Sequence, residues 1–280
     1  MPKEYTKEDV IQNKKDAIKT LNKMLERFIN DPSEKHLKKA NLISYWIKDY
    51  VRMISFEEKF DPTKNIAYKR GNIVQLNFGF NIGSEYWGLH YGSVLDNKND
   101  HSSPVVTVIP LTSVKADKKI HKNSVELGNE LYKSLKLKYD TTSKALKDEQ
   151  NEIREAIAAF STLVDLAGES LKNYEHKETL EAKEKELANA EKYLSATEKI
   201  EKLWKEKEKH NLEQQEYLSK IGEEISCMKE GSIALVNQIT TISKIRIFDP
   251  RNLKGVLSGI SLSEESMEKI NQKMKDLYIF

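Results

Sequence analysis

The sequence predicts an α+β protein: a small twisted sheet or partial barrel, preceded by a pair of helices and interrupted by a long helical insertion. Three observations predict it. Residues 70–127 and 231–248 are rich in β-branched and apolar residues with glycine-marked bends. Between those blocks, no proline occurs from Pro110 to Pro250, and only Gly168 and Gly222 fall between Gly128 and Gly231. Both ends of the chain carry amphipathic, capped helical patterns.

In chain order, residues 5–56 predict two helices. Thr6 and Asp9 form a variant capping box, and Ile11, Ile18, Leu21, Leu25 and Phe28 recur at helical spacing. "NDPS" (30–33) ends the first helix, because Pro32 cannot continue it, and Ser33 is a cap for the second. Leu37, Ala40, Ile47, Val51 and Ile54 make the second stripe, and "FDPTKN" (60–65) reads as a linker. "NIVQLNF" (72–78), "GSVLD" (92–96) and "PVVTVIPLT" (104–112) predict strands, with "NKND" (97–100) as a turn. About four strands in so short a stretch suggest a small twisted sheet or partial barrel.

Ile153, Ile157, Phe160, Val164, Ala167, Leu171 and Tyr174 follow 4-3-4-3-4-3 spacing, a heptad seam on a helix near 143–175. A second, looser seam runs Leu180, Leu187, Leu194, Trp204, Leu218, Ile221 and Ile225, with a break suggested by the capping-box spacing of Ser195 and Glu198. Two such seams predict long helices folded back on each other. "GSIALVNQITTISKIRIF" (231–248) predicts a return to strand, and the tail predicts a helix capped by Ser263 with Met267, Ile270, Met274 and Leu277 facing inward. The first sheet block has too few strands to bury both faces alone. The expected organisation is therefore an N-terminal helical extension (1–60), a split sheet domain (67–135 with 229–280), and a helical insertion (136–228).

Composition excludes several classes. The chain has 280 residues, 32% of them charged, and a net charge of +2, with mean hydropathy −0.65. That balance neither demands nor excludes nucleic acid. No apolar run approaches the roughly 20 residues of a membrane helix. "MPKEYTKEDV" lacks the apolar region of a signal peptide. A single cysteine, Cys227, precludes an intrachain disulfide and fits a reducing, cytoplasmic setting. No Cys/His cluster has metal-ligand spacing, and no cofactor is expected.

The split core resembles the MazF/PemK family of toxin endoribonucleases. The resemblance is carried by "YKRGNIVQLNF" (68–78), the Gly-Ser-Glu loop in "GSEYWGLHYGSVLDN" (83–97), "TVIPLTS" (107–113), "GSIALVNQITTISKIRI" (231–247) and the C-terminal helix. It covers about 110 residues in two blocks; the N-terminal helices and the insertion lie outside it. It implies an SH3-like, CcdB/MazF-type barrel that forms a homodimer and is inhibited by an antitoxin. It also implies metal-independent cleavage of single-stranded RNA to 2′,3′-cyclic phosphate and 5′-hydroxyl ends. One departure is specific: where the family has Gly-x-Arg-Pro, this chain has Gly88-Leu89-His90-Tyr91, and the family's Gln-Gly pair is Tyr86-Trp87.

The resemblance places His90 and Thr112 at the catalytic positions. Histidine suits proton transfer, because its pKa near 6.5 lets it take or give a proton at neutral pH. It holds phosphate less well than arginine, lacking the bidentate fork. Thr112 could donate to a non-bridging phosphate oxygen, with Ser113 as a weaker donor. Glu85 could orient His90 or help move the proton. Tyr86 and Trp87 could stack unpaired bases, and Lys69 and Arg70 could add positive charge for RNA. Gly83, Gly88 and Gly92 shape the loop. The competing expectations are structural: His90 packing on its aromatic neighbours, Thr112 capping a turn, Glu85 binding backbone N–H groups, and Tyr86 or Trp87 plugging the barrel end. The competing function is an interaction or regulatory module worked by the helical additions, which could also cover the RNA groove and inhibit from within.

Overall fold

A computed structural model describes residues 5–114, 119–229 and 231–279. Among them are five α-helices and an open antiparallel sheet of seven strands. The N-terminal helices are α1 (Lys7–Ile29) and α2 (Glu34–Glu57). The Thr6–Asp9 capping box forms as the spacing requires, each side chain bonding the other's backbone N–H. Ser33 sits at the N-cap of α2 but makes no capping bond through its side chain. Asp31 does the local work instead, accepting the Ser33 N–H at 2.9 Å. The 60–65 linker holds a 3₁₀ turn at Pro62–Lys64.

Strands β1 (Ile73–Asn77), β2 (Leu89–Val94), β3 (Val105–Ser113) and β4 (Ser124–Gly128) come from the first block. The second block does not form the single run its composition suggests. It makes three short strands, β5 (Ser232–Leu235), β6 (Thr240–Ser243) and β7 (Ile247–Asp249), separated by 3₁₀ turns at 236–238 and 244–246. The turns allow β5 and β6 to pair in succession along β3, while β7 crosses to pair with β1. The sheet order is β4-β5-β3-β2-β1-β7 with β6 beside β3, so strands from both sequence blocks interleave in one sheet.

Side-chain alternation gives the sheet two cores. Val74, Leu76, Phe78, Val94, Val108, Ile242 and Ile247 pack together on one face. On the other, Ile73, Ile109, Leu111 and Ala234 pack with Met267 and Ile270 of α5 (Glu264–Tyr278) and with Leu131, Leu135 and Ile221 from the root of the insertion. Ser263 caps α5, accepting the Ser266 N–H at 3.2 Å.

The insertion is a hairpin of α3 (Glu130–His176) and α4 (Leu180–Cys227). Each helix is about 70 Å long, against the roughly 50 Å of the 143–175 span. α3 starts earlier because its first turns are buried in the sheet core through Leu131 and Leu135, which the seam spacing does not include. α4 runs unbroken through Ser195–Glu198: Thr197 donates its hydroxyl to the Leu194 carbonyl within the helix, at 2.7 Å, and no cap forms. The seams are also used differently from the expectation. Ala167, Ser170, Ala190 and Thr197 are the buried contacts of the outer hairpin, whereas Ile157, Val164, Leu171, Leu180, Leu187 and Leu194 remain exposed. Small residues let the two helices approach closely there, and those six aliphatic side chains turn sideways to solvent, whereas Phe160 and Trp204 of the same seams meet edge-on across the hairpin at 4.8 Å.

Candidate functional site

The loop between β1 and β2 is pinched at its neck. Gly88 donates its N–H to the Gly79 carbonyl at 2.7 Å, and Phe78 donates to the Gly88 carbonyl at 2.8 Å. Both glycines have positive φ, +98° at Gly79 and +91° at Gly88, a conformation that side-chain-bearing residues adopt at a cost. Within the loop, Asn81 donates to the Tyr86 carbonyl at 2.7 Å. Gln238, in the 3₁₀ turn after β5, reads the Gly-Ser-Glu segment twice. Its Oε1 accepts the Tyr86 N–H at 3.1 Å, and its Nε2 donates to the Ser84 carbonyl at 3.3 Å. The two sequence blocks therefore meet at this loop through one glutamine.

His90 lies on β2 opposite Leu76 of β1. The β2–β3 register pairs Gly92 with Pro110. The ladder ends there, so His90 and Thr112 lie just beyond it, and alternation puts both on the face of Leu76, Val94 and Val108. The strands splay there, and the Tyr86 ring fills the gap. It lies 4.8 Å from the His90 ring at 44° and meets Phe78 edge-on at 5.3 Å. Its hydroxyl donates to the Leu111 carbonyl at 2.8 Å and is within hydrogen-bonding reach of the Thr112 side chain. Burial pushes the phenol up to about 12, partly offset by the Thr112 contact, so Tyr86 is a neutral donor at physiological pH.

The structure thus brings together His90, Tyr86 and Thr112. Trp87 stands at the exposed rim, its ring 5.1 Å from Phe80. Ser113 follows Thr112 and pairs with Ser232 of β5. Glu85 turns back on its own loop and accepts the Ile82 N–H at 3.3 Å, which is the structural alternative for this residue. Arg70 is engaged away from the loop. Its guanidinium donates to the Leu95 carbonyl and to Asn271 of α5. That anchor lies five residues along β2 from His90, roughly 16 Å away at strand rise. Lys69 opens the same turn, its N–H bonded to Asn72, and is equally distant along the strand.

A groove of about 520 Å³ adjoins the site, lined by Phe78, Asn81, Glu85, Tyr86, Gln238, Thr240, Thr241, Ser243 and Arg246, among others; His90 and Thr112 are not among its lining residues. Arg246 supplies its cation, with one N–H directed at the Phe78 carbonyl (3.4 Å) and the guanidinium over the Trp46 ring of α2 at 5.3 Å. Burial lowers its pKa, yet an arginine remains charged. Sequence reasoning missed Arg246, whereas a filling role for Tyr86 was one of the structural alternatives. Gln238 lies in the 231–247 segment, but nothing in its spacing pointed to the Ser84–Tyr86 backbone.

Among the described residues no cluster of three or more His, Cys, Asp or Glu is arranged to hold a metal ion. No helix of those residues is long and apolar enough to cross a membrane. No protein-family profile and no curated protein matches the chain.

Proposed function

We propose that the chain is a toxin-type, metal-independent endoribonuclease of the MazF/PemK kind, cutting single-stranded RNA with some sequence selectivity. The observation that carries the reading is that His90 and Thr112 both adjoin Tyr86. They are the two residues that the resemblance picks out as catalytic. The sharing of β3 among β2, β5 and β6 supports an SH3-like barrel as the finer description of the sheet.

In this reading neutral His90 takes the proton of the RNA 2′-hydroxyl. The 2′-oxygen bonds to phosphorus, the bond from phosphorus to the 5′-oxygen breaks, and the imidazolium returns the proton to that leaving oxygen. The products are a 2′,3′-cyclic phosphate and a 5′-hydroxyl end. Thr112 donates to a non-bridging oxygen as charge develops. Trp87 and Phe80 give flanking bases a stacking surface, and Arg246 attracts the backbone. Glu85 and Gln238 hold the loop. The resemblance adds a homodimer, an antitoxin partner and a cytoplasmic setting.

A second reading, an interaction or regulatory module, has its own observation. Trp46 of α2 reaches Arg246 and packs against the Gly79 neck, so the N-terminal helices touch the groove's edge and its cation.

Incubating the purified chain with long RNA in EDTA and mapping 5′-hydroxyl ends tests the first reading. His90→Ala should abolish cleavage without unfolding the protein. His90→Arg should keep RNA binding and remove the near-neutral step from the pH–rate profile. Thr112→Val should slow cleavage by about 10²–10³. Undiminished cleavage by His90→Ala would refute the assignment and leave the interaction module as the better description.

A further inference from the structure

The outer part of the α3–α4 hairpin leaves six large aliphatic residues outside the contact between its helices. Its fully buried contacts are Ala167, Ser170, Ala190 and Thr197, with Leu163, Leu166 and Tyr193 half-buried and Phe160 meeting Trp204 edge-on across the hairpin. The exposed set is Ile157 (46%), Val164 (43%) and Leu171 (45%) on α3, and Leu180 (81%), Leu187 (43%) and Leu194 (46%) on α4. Within each helix these three are seven residues apart, so each set forms one ridge. Relative to the buried contacts, each ridge is rotated by the same step in the same sense: Val164 is three before Ala167, and Leu187 is three before Ala190. In an antiparallel pair, equal rotations bring both ridges to one side of the hairpin. Long helices gain most of their stability from packing an apolar face, and among the described residues nothing covers this one.

We infer that this face is the contact surface for a second copy of the chain, two hairpins closing into a four-helix bundle about a two-fold axis. The ridges present about 600 Å² per copy, so a symmetric pair buries about 1,200 Å², the lower bound of specific interfaces before flanking atoms are added. Charge decides the arrangement. On α3 the ridge and the positions between, Ser161 and Gly168, carry no charge from Ile157 to Leu171. On α4 the leucines alternate with Glu184, Glu191 and Glu198. Packing α3 against its symmetry mate at the centre keeps the two rows of glutamates apart at the rims, whereas an α4-centred contact would oppose them. A two-fold contact is closed, so one partner uses up the exposed face. The surface is distinct from any dimer contact across the sheet, and it needs no RNA.

In a Cys227→Ser background, which removes the only cysteine, Val164→Cys should give an interchain disulfide on mild oxidation. Leu203→Cys, also exposed but off the ridge, should not. The double variant Leu171→Lys/Leu187→Lys should stay folded by circular dichroism and raise the dimer dissociation constant at least about thirtyfold in sedimentation analysis. A monomeric parent at micromolar concentration would overturn the inference. So would equal cross-linking at 164 and 203, or an unchanged dissociation constant in the lysine variant. None of these readouts depends on whether the protein cuts RNA.

Discussion

Tyr86 shows how one side chain ties loop to strand. Its ring fills the gap where β2 and β3 separate, and its hydroxyl replaces the strand partner that the Leu111 carbonyl lacks there. Because burial raises its folded pKa to about 12 against an ordinary 10, the sign of its linkage is set. The stabilising contribution is complete below pH 10 and is lost as pH climbs toward about 12, since the unfolded chain releases its proton first. Tyr86→Phe should cost about 1 kcal/mol at neutral pH. It should also flatten the alkaline fall of the thermal midpoint between pH 10 and 12 by one proton's worth. Tyr68 and Tyr91 are raised by burial as well, so a residual slope persists. A variant with the parent's full alkaline slope would remove Tyr86 from this account.

At the scale of elements, the hairpin is held in register by a polar layer in its inner part. Asn211 is buried; its Nδ2 bonds Glu149 at 3.1 Å, and its Oδ1 accepts from Gln215 at 2.9 Å. His210 reaches the same Glu149 at 2.8 Å. A polar residue at such a position specifies alignment at a cost in stability. Asn211→Leu should therefore raise the thermal midpoint, by up to about 1 kcal/mol in stability, because Glu149 and Gln215 can turn to water. The same substitution should let the outer contacts slip, seen as altered Trp204 fluorescence where that ring now meets Phe160 edge-on at 4.8 Å. A loss of stability larger than about 1 kcal/mol would mean that the layer is held for its energy rather than its register.

For the molecule as a whole, the insertion is part of the sheet's core at its root. Ile221 is fully buried among Leu131, Leu135, Ile109 and Leu111. Tyr91 of β2 donates to Glu224 of α4, which also accepts from Gln75 of β1 at 3.3 Å. Lys138 donates to the carbonyls of Val256 and Ser258 at 2.8 and 2.7 Å. Ile221→Ala should destabilise the sheet and the helices together by about 2–5 kcal/mol in a single urea transition. Separate transitions, with the sheet signal unmoved, would show that the hairpin folds as an independent unit.

The sequence by itself determined the elements whose signals are local. Thr6–Asp9 and Ser263 announced real caps, because a cap is a bond between residues three apart. Alternation in 72–78 and 104–112 announced strands β1 and β3, and long proline-free heptads announced a helical pair. Tertiary structure decided everything that depends on which face meets which. The seven-residue repeat in 153–174 was legible, but its direction was not, since Ala167 and Ser170 face the partner helix and Val164 does not. The run 231–248 was legibly β, yet only pairing with two sides of the sheet broke it into three strands. His90, Thr112, Tyr86 and Trp87 were legible as candidates. Glu85 bonding its own loop, Arg70 being held by α5, and Arg246 arriving from 156 residues beyond His90 were not. Strand register and loop closure place side chains by contacts distant in sequence, and spacing carries no record of them.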